Sequence, residues 1–480
     1  MVMSQSKPSP NYSERESHSD AEKLWSAESE HKTRRKIDLS VLPLLLLGMT
    51  VFQLDRMNIA SALTGGFGQD IHIDQTTVNL GNQLMFLGII VLEIPSNIVL
   101  QKIGPDKWIP AQVLVFGIIA TFQIFLRNRT DFLVVRSLLG LAEAGYIPAS
   151  LYTLSTWYEK TELAKRVGIF FFGMFGGNAI SPLLGAAILK LDGHHGLKGW
   201  QWIFLIEGIF TISAALLILL LLPQSPSNPR PCLLRRGVIS FSPEDRDILR
   251  TRTTRSDSDS DRESDSPEKA LSSPTSSIKR ALLNYRRWPH FLLAPCVFST
   301  WSPLTTYTPT IIMSLGFTRI QSNALTAIGA TLALPLVFLF SYISDRTAKR
   351  GLTVIAAVTC YLLVLIVCRC LLPHVEGKWN RFGLWTVINA FAVCYHPVHN
   401  TWLQLNCPHR SERRVMASNA GLMGGSQIFQ QKDSPIYLTG LVVMIALVAG
   451  ALVLAIGQEV IYLRVNSRAR RMGSSQVYVS

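Results

Sequence analysis

Charged residues are scarce in this chain of 480 residues, where Asp, Glu, Lys and Arg together make up 16%. Soluble proteins average about 25%. The seven cysteines show neither the spacing of a disulfide framework nor that of a metal site. Residues 1–38 are polar and rich in Ser and Glu, so we expect no cleavable signal peptide. These absences argue against a soluble protein or a disulfide-stabilised secreted domain and favour a membrane protein with several spans.

The net charge is +14, which on its own would suit a nucleic-acid partner. The basic residues instead gather at the ends of apolar stretches, on one side of the predicted membrane, for example at 32–36, 346–350 and 464–471. This bias places both termini in the cytoplasm. We therefore expect an integral, multi-pass protein of the plasma membrane whose partner is the lipid bilayer and not a nucleic acid.

Hydrophobic residues form 48% of the chain and are concentrated in stretches that approach or exceed the roughly 20 helical residues needed to cross a bilayer. Six stretches precede a hydrophilic segment at 223–287, and six follow it. The pattern predicts an all-α membrane protein with twelve transmembrane helices in two six-helix bundles. The stretches are 39–62, 78–100, 108–126, 132–154, 167–189, 202–222, 291–315, 324–343, 352–372, 382–405, 415–430 and 437–463.

The expected domain boundaries follow from these stretches. Residues 256–277 are rich in Ser and Asp, and such a composition cannot bury enough apolar surface to fold. We interpret this segment as a solvated linker, with phosphorylation of its serines as the alternative. The expected organisation is a disordered cytoplasmic tail at 1–36, an N-terminal six-helix bundle at 37–222, a cytoplasmic, largely disordered loop at 223–287, a C-terminal six-helix bundle at 288–463 and a cytoplasmic tail at 464–480.

Ionisable residues inside the apolar stretches are the main functional candidates, because a charge in lipid is costly and usually faces a passage or a partner. Arg136 and Glu143 are seven residues apart, two turns along one helix face, which suits a carboxylate that gains and loses a proton. A static charge pair that fixes helix packing is the alternative. Asp55 and Arg56 lie either in the bundle interior, facing a substrate, or in water at the outer interface. For Glu207, near the start of its stretch, we favour a structural role at the interface.

Other polar residues within the stretches are candidates for a substrate pocket. His396 and His399 have a spacing that can chelate a metal, but no further ligands accompany them, so we expect no metal and no cofactor. The sequence shows no nucleophile and base that would indicate an enzyme. Asn128 begins a glycosylation sequon on a predicted outer loop. The candidate substrate-binding residues are Asp55, Arg56, Asn58, Asn178, Trp301, Tyr307, His396, His399 and Asn400.

The segments RKIDLSVLPLLLLGMTVFQLDRMNIASA (35–62), GWQWIFLIEG (199–208) and YHPVHNTWLQLNC (395–407) together resemble the allantoate permease family. This is a fungal branch of anion:cation symporters within the major facilitator superfamily. The resemblance implies two six-helix halves that work by alternating access and take up a small organic anion, such as allantoate, nicotinate or a related carboxylate, with a proton. It also implies that Arg136, followed by Gly140, takes part in proton coupling. Asp345, Arg346, Lys349 and Arg350 match the cytoplasmic gate of the superfamily.

The sequence thus predicts a monomeric secondary transporter. Its partners are a small-molecule organic anion and a proton. We expect Arg56 or another intramembrane cation to neutralise the charge of the substrate, and Glu143 to handle the proton together with Arg136. The alternatives are an exporter or vacuolar transporter of a metabolite, and a nutrient sensor that does not transport.

Deletion of 256–277 tests the linker interpretation. Because a solvated linker makes no contact that the helices need, we expect uptake by cells that express the shortened chain to match that of the full-length chain. Uptake of labelled carboxylates, normalised to the amount of protein at the cell surface, is the measurement. A loss of uptake at normal surface level would contradict the interpretation.

Overall fold

The computed structural model describes residues 25–233, 239–262, 287–406, 419–471 and 478–479, and the secondary structure in these ranges is helical apart from one isolated bridge between Pro223 and Pro231. The helices of the first half and of the central segment are α1 Ala27–Ser40, α2 Leu42–Thr64, α3 Phe67–Asp70, α4 Gln75–Ile103, α5 Pro105–Phe122, α6 Arg129–Glu143, α7 Tyr146–Trp157, α8 Lys160–Ile188, α9 Gly199–Leu221 and α10 Pro243–Arg262. The helices of the second half are α11 Trp288–Ser314, α12 Arg319–Thr347, α13 Arg350–Leu371, α14 Lys378–Phe391, α15 His396–Leu405, α16 Asn419–Gly425 and α17 Leu438–Arg471.

Nine of the spans predicted from the sequence recur, within the described ranges, as helices long and apolar enough to cross a membrane. The other three stretches hold helices of a different character. Helix α11 contains three internal prolines among Ser and Thr residues, α14 and α15 are separated at 392–395, and α16 is described only from Asn419. The predicted fold class, all-α with two helical bundles, is confirmed.

Among the described helices, the most extensive packing between the two halves is that of α8 on α12, of α2 on α11 and of α4 on α16. The loop ends of α2, α8 and α12 lie together, since Thr64 bonds Asn323 and Asp192 bonds Arg319. We call this end of the bundle the distal face. The opposite end, where α1 begins and α17 finishes, is the terminal face.

Two expected disordered regions are partly ordered at the terminal face. Residues 27–36 belong to α1 instead of a disordered tail, and part of the 223–287 loop forms α10. Charge pairing explains the difference, because Asp245 of α10 accepts bonds from Thr33 at 2.7 Å and from Lys36 at 2.5 Å. Burial raises the pKa of Asp245, but these bonds and those from Ser242 outweigh it and hold the pKa below its usual value.

A second ion-pair group ties α10 to the start of α8. The guanidinium of Arg252 is 2.6 Å from Glu162 and 3.5 Å from Glu159, and Arg34 of α1 lies 2.9 Å from Glu162. Composition alone could not reveal these partners, because they are distant in sequence. Of the predicted linker 256–277, residues 256–262 lie in α10, while 263–277 fall outside the described residues, as does the predicted tail before residue 25.

Glycine sets the separation of α4 and α6. A Cβ atom added at Gly140 would approach the backbone oxygen of Met85 to 2.0 Å, so the two backbones are in direct contact there. Small residues allow such close approach between membrane helices. This contact fixes the position of α6, which carries both Arg136 and Glu143.

Gly140→Ala should therefore destabilise the protein by about 1–3 kcal/mol, because the backbones would have to separate. Gly176→Ala is the matched control, since nothing lies within 4 Å of a Cβ there, and alanine should favour the helix by about 0.5–1 kcal/mol. The midpoints of thermal unfolding in one detergent would show opposite shifts. Equal shifts for the two variants would refute the close contact.

Candidate functional site between the two halves

An ion pair lies at the centre of the N-terminal bundle. Arg56 of α2 donates through Nε to Oε2 of Glu143 at 2.8 Å. The Glu143 side chain is fully buried, whereas that of Arg56 is 13% exposed. The guanidinium also lies 4.2 Å from the centre of the Phe52 ring, a distance suited to a cation–π contact. Arg56 therefore has one anionic partner, and a small fraction of its side chain stays exposed.

Arg136 and Glu143, which the sequence places on one helix face, are not hydrogen-bonded to each other. The buried Arg136 guanidinium instead donates to the side-chain oxygen of Asn82 on α4. Asn82 in turn donates to Thr306 of the other half at 3.3 Å. Asn82 of α4 thus links Arg136, which lies on the same helix as Glu143, to Thr306 of the other half.

Asp55 contacts α9. Its carboxylate accepts from Thr211 at 3.3 Å. Asp55, Asn58 and Glu207 are all buried. Packing of α9 against α2 encloses these side chains, so the position in water considered for Asp55 is wrong, while the structural role at the interface favoured for Glu207 stays a prediction.

The C-terminal bundle contributes aromatic and imidazole groups. Asn400 Nδ2 is 2.9 Å from His396 Nε2, and the His396 ring lies 4.6 Å from that of Phe298 and 6.4 Å from that of Phe171 on α8. Trp301 is half-buried and packs edge-on against Phe298. His396 and Trp301 thus pack on Phe298, His396 also faces Phe171 of the N-terminal half, and Asn400 contacts His396; their role in a substrate pocket stays a prediction.

His399 faces the interior of its own bundle. Its Nε2 lies 3.2 Å from Nδ1 of His290 on α11, and the His290 ring packs 4.3 Å from Trp402. Both histidines are buried. This position assigns His399 to packing within the C-terminal half. In the described part of the chain, no three His, Cys, Asp or Glu side chains are grouped as a metal would need.

Hydrogen bonds between the halves close the distal face. Tyr307 donates to Asn79 at 2.5 Å, and Asn79 donates to the backbone oxygen of Phe429 at 3.0 Å. Gln427 bonds Gln83 at 3.0 Å. Tyr307, expected in the pocket, therefore belongs to this distal contact.

An ion pair reinforces the closed distal face at its edge. Arg319 at the start of α12 lies 2.7 Å from Asp192, which follows α8. The bond from Arg319, followed by that from the Gly199 N–H, holds the pKa of Asp192 below its usual value. The pair is therefore intact at neutral pH and is lost only when the pH falls below the ordinary range of an aspartate.

The remaining sequence candidates have local partners. Asn178 accepts from Gln53 at 2.7 Å, joining α8 to α2. At the terminal face Asp345 and Arg350 pair at 3.2 Å across the turn between α12 and α13, and Arg346 and Lys349 are exposed. The exposed Asn128 caps α6 by accepting from the Asp131 N–H at 2.9 Å.

Sequence reasoning missed Asn79, Asn82 and Gln83, which lie in one predicted span and bond the opposite half or Arg136. Polar residues repeating at helical spacing in an apolar stretch are a usable signal. It also missed His290, which lies 109 residues from its partner His399, and the pair of Asp192 and Arg319, which are 127 residues apart. No local pattern marks such pairs.

The chain is similar in sequence and in fold to known membrane transport proteins. The sequence profile of the Major Facilitator Superfamily matches residues 45–430. The uncharacterized transporter YIL166C of Saccharomyces cerevisiae is 26% identical over 95% of this chain and 84% of its own. A putative tartrate transporter of Agrobacterium vitis is 28% identical over 68% of this chain and 71% of its own. The crystal structure of a D-xylose–proton symporter aligns with a TM-score of 0.64 at 13% identity, covering 88% of this chain and 97% of the other.

Asp192→Asn should loosen the distal closure. An exposed ion pair contributes up to about 1 kcal/mol, so the population open at the distal face should rise up to about fivefold. The measurement is the alkylation rate of a cysteine placed at Thr306, which is buried between the halves beside Asn82, in a chain without its native cysteines, by an impermeant maleimide added at the distal face.

Lys198→Gln provides the matched control, since Lys198 pairs with Asp70 at the same face but within one half. Its alkylation rate should stay unchanged. If the two variants behave alike, the Asp192–Arg319 pair does not hold the halves together.

Proposed function

Because the chain belongs to the major facilitator superfamily, we propose that it is a secondary transporter that moves a small organic anion together with a proton. The observation that carries the proposal is the contact of 2.8 Å between Arg56 and Glu143. A buried guanidinium and a buried carboxylate stabilise one another, and removing either charge leaves the other uncompensated. Arg56 therefore needs a negative partner at every stage of a transport cycle.

Proton and anion binding are coupled through this shared guanidinium. When Glu143 takes up a proton, its attraction for Arg56 weakens, and a substrate carboxylate replaces it as the partner. Conversely, a substrate bound to Arg56 favours protonation of Glu143. Binding linkage of this kind is reciprocal, so the anion and the proton bind and leave together, which is the requirement for symport. Arg136 adds a second buried cation near Glu143 and links it, through Asn82, to the opposite half.

A carboxylate is the substrate group that fits best. A guanidinium offers paired donors that match the two oxygens of a carboxylate, and the aromatic residues around His396 suit a small apolar or ring-shaped body. The relative described as a tartrate transporter supports an organic acid, and the segments resembling the allantoate permease family support the same class.

The terminal face is proposed to be cytoplasmic, because the short segments there carry most of the Lys and Arg near the spans. With the distal face closed by bonds between the halves, the described conformation then corresponds to a stage in which the extracellular side is closed. Asp345, Arg346, Lys349 and Arg350 would form the gate that closes in the opposite stage. We propose the plasma membrane as the location.

Uptake of a labelled panel by cells that express the chain tests the substrate class. The panel pairs carboxylates with neutral relatives, for example nicotinate with nicotinamide, together with allantoate and tartrate, at external pH values of about 5 and 7. Uptake of a carboxylate, faster at the lower pH and absent for its neutral relative, is expected. Uptake of the neutral compounds alone would contradict an anion transporter.

Glu143→Gln tests the coupling, since glutamine mimics the protonated glutamate and cannot release a proton. The variant should still exchange internal for external substrate, but its accumulation ratio should fall to about one, because the proton gradient no longer acts on the cycle. The exposed Glu376→Gln is the matched control and should accumulate substrate normally. If Glu143→Gln still concentrates substrate against its gradient, Glu143 does not carry the proton.

A further inference from the structure

Residues Tyr478 and Val479 lie against the terminal-face ends of α15 and α17. Asn406, directly after α15, accepts from the Val479 N–H at 2.8 Å and donates to the Val479 carbonyl at 2.9 Å. Asn466 of α17 accepts from the Tyr478 N–H at 2.9 Å and donates to the Tyr478 carbonyl at 2.7 Å. A side-chain amide that both donates to and accepts from one residue's backbone recognises an extended peptide independently of its side chains.

Two aromatic residues complete the contact. The indole N–H of Trp402 on α15 donates to the Val479 carbonyl at 2.9 Å. The ring of Tyr478 stacks on that of Tyr462 on α17, with centroids 4.5 Å apart and planes 14° apart. Trp402 and Tyr462 are fully buried. The contact therefore involves the backbone of two successive residues and one aromatic side chain.

The segment at 478–479 joins α15, which carries candidate pocket residues, to α17, which carries none. Helix α15 carries His396 and Asn400, which lie beside the N-terminal half, and it is separated from α14 by the turn at 392–395. Turns between helices absorb the rotation in hinge motions. Helix α17 is a continuous helix from Leu438 to Arg471. The segment thus connects a short helix that ends at a hinge to a long and uninterrupted one.

We propose that Asn406, Asn466, Trp402 and Tyr462 form a peptide-binding site, whose ligand is this chain's own segment Tyr478–Val479, and that the bound segment holds α15 against α17. A tethered ligand has an effective concentration in the millimolar range when its linker is short, so modest intrinsic affinity keeps the site filled. Release of the segment frees α15 to rotate at the turn 392–395. The proposal concerns conformation and does not depend on the substrate or on the coupling ion.

Hydrogen exchange of the purified full-length protein tests both parts. Val479→Pro removes the N–H group that donates to Asn406, while Val479→Ala retains every backbone group that the site contacts. In the wild type and in Val479→Ala, the backbone amides at positions 478 and 479 should exchange at least about tenfold more slowly than in a synthetic peptide of residues 472–480. In Val479→Pro, the Tyr478 amide should approach the peptide rate, and exchange within 396–405 should increase.

Asn466→Ala provides an independent disruption from the helix side and should reproduce the effect of Val479→Pro. Exchange of the wild-type segment at the rate of the free peptide would overturn the binding site. Release of the segment by Val479→Pro without any change in 396–405 would overturn its hold on α15. Neither readout requires transport, so a failed transport assay leaves this test unaffected.

Discussion

A guanidinium inside an apolar helix bundle requires a negative partner. Arg56 lies in such a bundle, and the arrangement of the helices around it meets this requirement. Desolvation of a buried ion costs several kcal/mol even after relaxation. Glu143 satisfies Arg56 at 2.8 Å, and the direct backbone contact at Gly140 fixes the helix on which Glu143 stands. In the proposed cycle a substrate carboxylate replaces Glu143 as the partner of Arg56, so that one cation shared by two mutually exclusive anions links proton and substrate binding.

The two halves contribute different chemistry to the region between them. The N-terminal bundle supplies the buried charges Asp55, Arg136, Glu143 and Glu207 and the partly exposed Arg56. The C-terminal bundle supplies histidines, Trp301 and the proline-rich helix α11. Neutral amide and hydroxyl groups form most of the bonds between the halves, as at Asn79, Asn82 and Tyr307. Such bonds exchange readily for others, whereas buried ion pairs between the halves would hold one conformation.

Segments outside the spans hold the terminal face together. Helix α10 and α1 meet through Asp245, Thr33 and Lys36, and the segment at 478–479 joins α15 to α17 through two asparagines. Composition indicated disorder for the first of these regions, because polar sequences bury little apolar surface. A few well-placed charges and amides nevertheless fix short polar elements when a rigid bundle already presents the partners.

Hydropathy and periodicity alone determined the number of apolar stretches and the membrane-spanning helical architecture, since every backbone group in lipid must be satisfied within its own helix. They also marked candidate functional residues, because polar residues stand out in apolar stretches. These include Arg56, Arg136, Glu143, His396 and Asn400. Only the tertiary structure decided their partners. Arg56, not Arg136, pairs with Glu143, Asp55 turns towards Thr211, and His399 meets His290. One residue corresponds to about 100° around a helix, so the partner of a side chain depends on how neighbouring helices rotate and approach.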